Sequence, residues 1–232
     1  LELSLNLLSN SKKAPSTKLS KKKALVTAGP TFEAIDPVRF IGNHSSGKMG
    51  VAIANELADR GVAVDLILGP SDIEVSNKNI NCIRVTSAAE MHQYSMDRFN
   101  DADIAVLAAA VADYTPKNVS NSKIKKANGI MTLELTKTKD ILKDLGKAKT
   151  KDQLLVGFAL ETNNELENAS KKLKEKNLNF IVLNSLNDDG AGFEFDTNKI
   201  TILDDSNNVE KFELKAKIEV AKDIVDKITS YL

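Results

Sequence analysis

Short apolar runs alternate with amphipathic stretches along most of this 232-residue chain. KALVTA (23–28) is β-rich and ends in Gly29-Pro30, a strand that runs into a loop. A long polar loop (31–46) leads into GKMGVAIANELADRG (47–61). There Met49, Ile53 and Leu57 recur at helical spacing beside Val51 and Ala52, and Gly61 supplies the stop. Strands follow at VAVDLILGP (62–70) and NCIRV (81–85), then a Ser-capped helix over 87–100. DIAVLAAAVADY (103–114) is an apolar strand entering an alanine-rich loop. Residues 115–130 are polar and rich in lysine, without a period. IMTLELT (130–136) alternates, which predicts a half-buried strand. A short helix (139–148), an apolar strand (153–162), a helix (163–177) and another strand (179–184) follow. NKITILDD and VEKFELK form a hairpin around SNN. The last helix, 216–231, sets Ile218, Ala221, Ile224, Val225 and Ile228 on one face.

Strands alternating with helices of 10–15 residues predict a three-layer α/β/α fold. Its sheet is mainly parallel and Rossmann-like, with a late antiparallel hairpin. Residues 1–22, rich in Ser, Lys and Asn, read as a tail or linker before a single domain at 23–232. No apolar run approaches the roughly 18–20 residues of a membrane span, and the start does not read as a signal peptide. Lys+Arg and Asp+Glu are both 32, so whole-molecule attraction to nucleic acid or an anionic membrane is unsupported. Anion chemistry then rests on local clusters. The single cysteine, Cys82, allows no internal disulfide, reads as a buried thiol, and fits a reducing cytoplasm.

In open α/β sheets, ligands bind beyond the carboxyl ends of the strands. Unusual residues gather at four such ends: 29–50, 108–113, 158–163 and Asn184. The loop Asn43-His-Ser-Ser-Gly-Lys-Met-Gly50 joins a strand to a helix. Its glycines and free N–H groups suit a phosphate, though a helix capped by Ser45 or Ser46 accounts for it equally. It is neither the P-loop spacing nor Gly-x-Gly-x-x-Gly. Small residues at 108–112 allow a flat base or narrow chain against the backbone, with Asp113 as a partner for hydroxyls or metal, or simply as a cap. Lys123, Lys125 and Lys126 are a solvated face or a flap over a polyphosphate. Lys172 and Lys176 share a helical face as part of a mixed charged surface or as an anion site. His92 reads as an exposed mid-helix residue. Neither histidine has zinc spacing or the context of a nucleophilic triad.

In combination, the motifs TAGPT (27–31), DPVRFIGNHSSGKMG (36–50), AAAVADY (108–114), KIKK (123–126), KTKDI (137–141), GFALETN (157–163) and KNLNFIVLN (176–184) resemble phosphopantothenoylcysteine synthetase. The likeness is to the bacterial type, often fused behind a flavin-dependent decarboxylase. It runs from about Lys23 to the C-terminus and is looser after Asn184. The resemblance implies that CTP activates the carboxylate of 4′-phosphopantothenate as an acyl-cytidylate, with release of pyrophosphate. The amine of cysteine then displaces CMP. It implies Asn43, Arg39 and Lys123 in catalysis. Gly29, Ser45, Gly47, Gly50, Ala109, Asp113, Phe158, Lys172 and Lys176 are implied at the nucleotide, and Asn43, Ala110 and Asn184 at the acyl substrate. Mg²⁺ as cofactor and a cytoplasmic homodimer are also implied. CTP rather than ATP follows from KIKK and the bacterial likeness. His44 departs from a pattern that can carry Arg there.

Two other function classes share parts of this pattern. A nicotinamide-dependent reductase would need the Gly-x-Gly-x-x-Gly spacing and an acid after the second strand, where LILGP stands. A non-catalytic nucleotide-binding module would bind nucleotide without releasing pyrophosphate.

Overall fold

The computed structural model describes residues 18–126, 129–161, 163–185 and 195–232. In chain order the elements are β1 (Lys23–Ala28), β2 (Phe32–Ala34), β3 (Phe40–Gly42), α1 (Lys48–Asp59), β4 (Ala63–Leu68), β5 (Ile80–Arg84) and α2 (Ala88–Phe99). Then come β6 (Ile104–Leu107), β7 (Tyr114–Pro116), β8 (Leu135–Lys137), α3 (Ile141–Ala148), β9 (Leu154–Glu161), α4 (Glu165–Glu175) and β10 (Phe180–Ser185). The chain ends with β11 (Thr197–Asn198), β12 (Ile200–Asp204), β13 (Val209–Lys211), β14 (Lys215–Ala216) and α5 (Lys217–Ser230).

Eight strands form one sheet in the order β13-β12-β10-β9-β6-β1-β4-β5. The six strands from β10 to β5 are parallel, and β12 and β13 add the antiparallel edge. Strand order therefore reverses between β1 and β6, the position where doubly wound sheets open a crevice. Successive β1 residues point to opposite faces. Ala24, Val26 and Ala28 pack under α1 and α5, whereas Leu25 packs with Met91, Leu145 and Leu173 under α2, α3 and α4. Both faces are covered, as parallel strands require.

Five sequence expectations change. Leu19, which the sequence puts in the tail, is fully buried in the α1/α5 layer, so the packed unit begins before Lys23. The alternation in 130–136 produces strand only at β8, paired with β7, and Ile130 is 97% exposed with Met131, Leu133 and Leu135 also exposed. That apolar face is formed, but no described part of the chain covers it. In α5 the buried stripe is Lys217, Val220, Ala221, Ile224, Val225 and Ile228. Ile218 falls at the edge of that stripe and is 65% exposed. His92 is half-buried rather than exposed, because α3 lies beside α2 and places Asp144 Oδ2 3.0 Å from His92 Nε2. Cys82 is half-buried against the α1/α5 layer. The late hairpin and the Ser87 cap of α2 form as the sequence predicts, the latter as a reciprocal capping box with Glu90.

Candidate active site

The crevice is built from backbone. Beyond β1 and β6 the two strand ends continue side by side: Ala108 N–H donates to the Thr27 carbonyl (3.1 Å) and Ala110 N–H to the Gly29 carbonyl (2.9 Å). Thr27 and Thr31 are buried, and their hydroxyls accept from Ala109 N–H (3.3 Å) and Ala112 N–H (3.0 Å). The alanine run is thus fixed as a ledge whose small side chains leave room above it. Asn43 reaches this ledge from the other loop, Nδ2 donating to the Ala110 carbonyl at 2.9 Å.

Two glycines set how closely α1 sits. Gly47, at φ 84°, is the residue before the helix, and a Cβ there would lie 3.2 Å from Gly29. A Cβ on Gly50 would lie 2.5 Å from the Ala28 Cβ. Neither Ser45 nor Ser46 caps the helix: Gly47 holds the cap position without a side-chain bond, and the Ser45 hydroxyl instead accepts from Gly47 N–H at 3.4 Å. The first N–H groups of α1 therefore face the crevice without a side-chain cap, the arrangement that suits an anion.

One cleft in two halves results. Cavities of about 470 Å³ and about 400 Å³ share Ala109, Val111, Asp113, Phe158 and Lys172 as common wall. Each is large enough for a nucleotide-sized group. The first half adds Lys137, Lys139, Asp140 and Lys176. The second adds Asn43, the 45–50 loop, Ala110, Asn184, Asn198 and Lys217. Lys172 crosses from α4 to donate from Nζ to the Phe158 carbonyl (2.8 Å), so the cation and the ring share one position on β9. Burial, and then the neighbouring Lys176, push the Lys172 ammonium below its usual range. Lys176 pairs with Asp140 at 2.8 Å. Burial pushes the Asp140 carboxyl up, but the bonds from Lys176 and from Lys143 N–H outweigh it, and the net shift is downward.

Three predicted residues lie elsewhere. Gly29 packs beneath Gly47 and against Gly69 instead of lining the cleft. Arg39 is held off it by Asp36, to which Nε donates at 3.0 Å, and its guanidinium also donates to the Ile124 carbonyl at 2.9 Å. Ile124 N–H donates to the same Asp36 carboxylate (3.1 Å), so Asp36 ties the two segments together. Lys123, the residue before this knot, is exposed and lines neither half. Asn198 and Lys217 line the cleft without any signal in their own neighbourhoods, whereas Lys48 stands inside the glycine loop, where spacing assigned it no role; the packing of α5 on α1 brings Lys217 to the same half. Thr27 belongs to TAGPT, and Lys137, Lys139 and Asp140 to KTKDI, motifs whose spacing alone assigns them no role. Among the described residues, no group of three or more His, Cys, Asp or Glu could hold a metal ion. No helix there is long and apolar enough to cross a membrane.

Comparison with known proteins gives a consistent result. The family described as DNA/pantothenate metabolism flavoprotein C-terminal domain matches residues 19–232. A protein of an unknown prokaryotic organism named cysteine/cysteine sulfinic acid decarboxylase is 56% identical over 94% of this chain and 60% of its own length. The coenzyme A biosynthesis bifunctional protein CoaBC of Bacillus subtilis (strain 168) is 45% identical over 93% of this chain and 53% of its own. The chain thus spans little more than half the length of these relatives. The crystal structure of the C-terminal domain of a coenzyme A biosynthesis bifunctional protein CoaBC superposes with a TM-score of 0.79 at 40% identity, covering 93% of this chain and 98% of that one.

Proposed function

We propose that this chain, which belongs to the DNA/pantothenate metabolism flavoprotein C-terminal domain family, is a phosphopantothenate–cysteine ligase of coenzyme A biosynthesis that uses CTP. The observation that carries this reading is the two-halved cleft. It presents cationic side chains in each half and, in the second, a neutral amide, Asn43, bonded to the ledge beside the shared wall. A nucleotide that spans the shared wall and an anionic acid beside Asn43 can be held there with their reactive groups together. The names of the relatives, and the match to the C-terminal domain of one of them, support the same assignment. The decarboxylase name belongs to a longer protein, and the resemblance puts such chemistry in a flavin-dependent half.

In the first step a carboxylate oxygen of the acid attacks the α-phosphorus of CTP, and the bond to pyrophosphate breaks. Lys172, Lys176 and Phe158 hold the nucleotide, Phe158 against its base, and Ser45, Gly47 and Gly50 cradle its phosphate. In the second step the cysteine amine attacks the acyl carbon, the bond from that carbon to the cytidylate oxygen breaks, and the amine releases a proton. The protein forms no covalent bond, so its contribution is positioning and electrostatics. Asn43 spends one N–H on Ala110, and the same amide can donate toward the acyl oxygen as charge develops there. Mg²⁺ fits the donor set in the usual way for this ion, carried by substrate phosphates with Asp113 as the nearby carboxylate. When bound, it neutralises the charge of departing pyrophosphate.

A cytoplasmic homodimer completes the proposal. The uncovered apolar residues Ile130, Met131 and Leu133 give a second copy something to bury. Lys123, which stands off the cleft of its own chain, then acts from the interface. Ile130→Ser is expected to lower the dimer population in sedimentation while leaving chain stability within about 0.5 kcal/mol. The ligase reading is tested by incubating the protein with 4′-phosphopantothenate, Mg²⁺ and CTP, then adding cysteine. Pyrophosphate and an acyl-cytidylate before cysteine, and the amide after it, are expected. A folded protein that cleaves neither CTP nor ATP refutes it.

A further inference from the structure

The apolar rows of β10 and β12 change character where they reach the cleft. Phe180 and Val182 on β10, and Ile202 and Ile200 on β12, are buried in the layer under α1 and α5. Two residues further along each row stands an asparagine: Asn184 on β10, and Asn198 on β11, just before β12. Asn198 is 2% exposed, and both line the half of the cleft that holds Asn43. A buried amide costs stability unless its hydrogen bonds are met, and rows set by packing alone would continue with Ile or Val. We propose that Asn198 is a positioning residue for the acid substrate: it turns the Asn184 amide so that its N–H side faces the cleft, as a fixed donor to an acceptor oxygen of the acid. This rests on the ligase reading above.

The polarity of the pair follows from what each atom is able to do. The Lys199 backbone N–H is a donor only, so the Asn198 atom it meets at 3.1 Å is the oxygen Oδ1. Nδ2 is then on the other side, where it donates to Asn184 Oδ1 at 3.3 Å and lies 3.8 Å from Met49 Sδ. With its oxygen turned toward Asn198, the Asn184 amide has Nδ2 left to present. Among the described residues nothing accepts from Asn184 Nδ2, and this side chain lines the cavity. A direction is thus passed from one backbone N–H, through two amides, to the cleft. Asn198 reaches this place because β11 pairs with β14, directly before α5. Asn43 brings a second amide to the same half, with one N–H held by the Ala110 carbonyl. Two neutral donors with fixed directions suit the carboxyl and amide carbonyl oxygens of such an acid, which are acceptors.

The test compares wild type, N198D, N198L and N184A, with N198D and N198L each also made in the N184A background. Calorimetry measures binding of 4′-phosphopantothenate in the presence of α,β-methylene-CTP, which cannot release pyrophosphate. Steady-state kinetics gives KM for the acid and for CTP. In N198D one carboxylate oxygen still accepts from Lys199 N–H and the other faces Asn184. The Asn184 amide then turns to donate to it and puts Oδ1 toward the acid. We expect N198D to weaken acid binding about tenfold, the scale of a hydrogen bond replaced by two facing acceptors. N198L frees the Asn184 amide without reversing it and should weaken binding less, about threefold. KM for the acid should rise in step, while KM for CTP stays within about twofold, because the nucleotide is held by other groups. N184A should itself weaken acid binding, and adding N198D to it should change nothing further, because Asn198 acts through Asn184. Acid binding unchanged in N198D, or weakened as much in the N184A background as alone, overturns the assignment and leaves Asn198 as a support for β11. If N198D does not fold, the N198L pair, which buries no charge, decides by the same comparison. A wild-type chain that binds the acid but makes no amide defeats the ligase reading alone, whereas one that does not bind the acid defeats this assignment with it.

Discussion

The switch-point cleft and the β7–β8 arm are constrained in opposite ways. In the cleft, backbone holds backbone: the ends of β1 and β6 exchange hydrogen bonds, Gly50 lets α1 touch Ala28, and Asn43 is clamped to Ala110. The arm is fixed mainly at its root. Thr138 bonds the Ala112 carbonyl at 2.7 Å, Asp36 ties Arg39 to Ile124, and beyond these points the apolar residues 130–135 face outward. Rigidity is thus concentrated where the proposed ligase reaction would align its two reactants. The lysine-rich segment remains tethered but exposed, as a segment that approaches a second copy or a substrate must be.

The comparison can be broken first at Asn43. Asn43→Asp places a carboxylate 2.9 Å from the Ala110 carbonyl, two acceptors face to face, and removes the amide donor. Amide formation should fall about 10²–10³-fold, with acyl-nucleotide accumulating in mass spectra. Equal loss of pyrophosphate release would remove Asn43 from the second step. Next is Lys172→Met, expected to raise KM for CTP at least about tenfold while kcat falls less. Because the Lys172 ammonium sits below its ordinary range, wild-type CTP affinity should weaken as pH rises at lower pH than for a free lysine. Lys172→Arg should flatten that profile, since arginine stays charged. Identical profiles would sever Lys172 from the nucleotide.

Smaller effects sharpen the contrast in rigidity. Gly50→Ala forces α1 from the sheet, because its Cβ would meet Ala28 at 2.5 Å, and should cost about 1–3 kcal/mol, read as a lower Tm. Asp36→Asn should lower Tm modestly and accelerate proteolysis of the arm, since the carboxylate braces its own loop through the Val38 and Arg39 N–H groups as well as the Ile124 segment. Arg39 holds the Asp36 carboxyl well below the usual range despite its burial. Its stabilising contribution is therefore complete above the unfolded value of about 4 and is lost as pH falls through the lower folded value. In wild type the arm should resist proteolysis at pH 5 as at pH 7.

Local pattern was sufficient where residues pack on their own neighbours. The parallel sheet, the Ser87 cap and the ledge 108–113 are legible because helix period, apolar strands and small residues act within a few positions. Gly47 and Gly50 were legible as close-approach residues, but the cap expected of Ser45 or Ser46 was not formed, since a left-handed Gly47 already turns the chain into α1. Lys48 and Lys217 were invisible as a pair: 169 positions separate them, and only the packing of α5 on α1 joins them. The strand expected over 130–136 failed for the converse reason. Alternation records that a face is apolar, not that this chain supplies its cover.

The central claim, that the acid is activated on the nucleotide in this cleft, is tested most directly by oxygen transfer. 4′-Phosphopantothenate labelled with ¹⁸O in its carboxyl group is turned over with CTP, Mg²⁺ and cysteine, and the products are weighed. One labelled oxygen in CMP, with none in pyrophosphate, is the result expected for carboxylate attack on the α-phosphorus. Label in a phosphate released from the γ-position, or amide formed with no label in any nucleotide product, would contradict it.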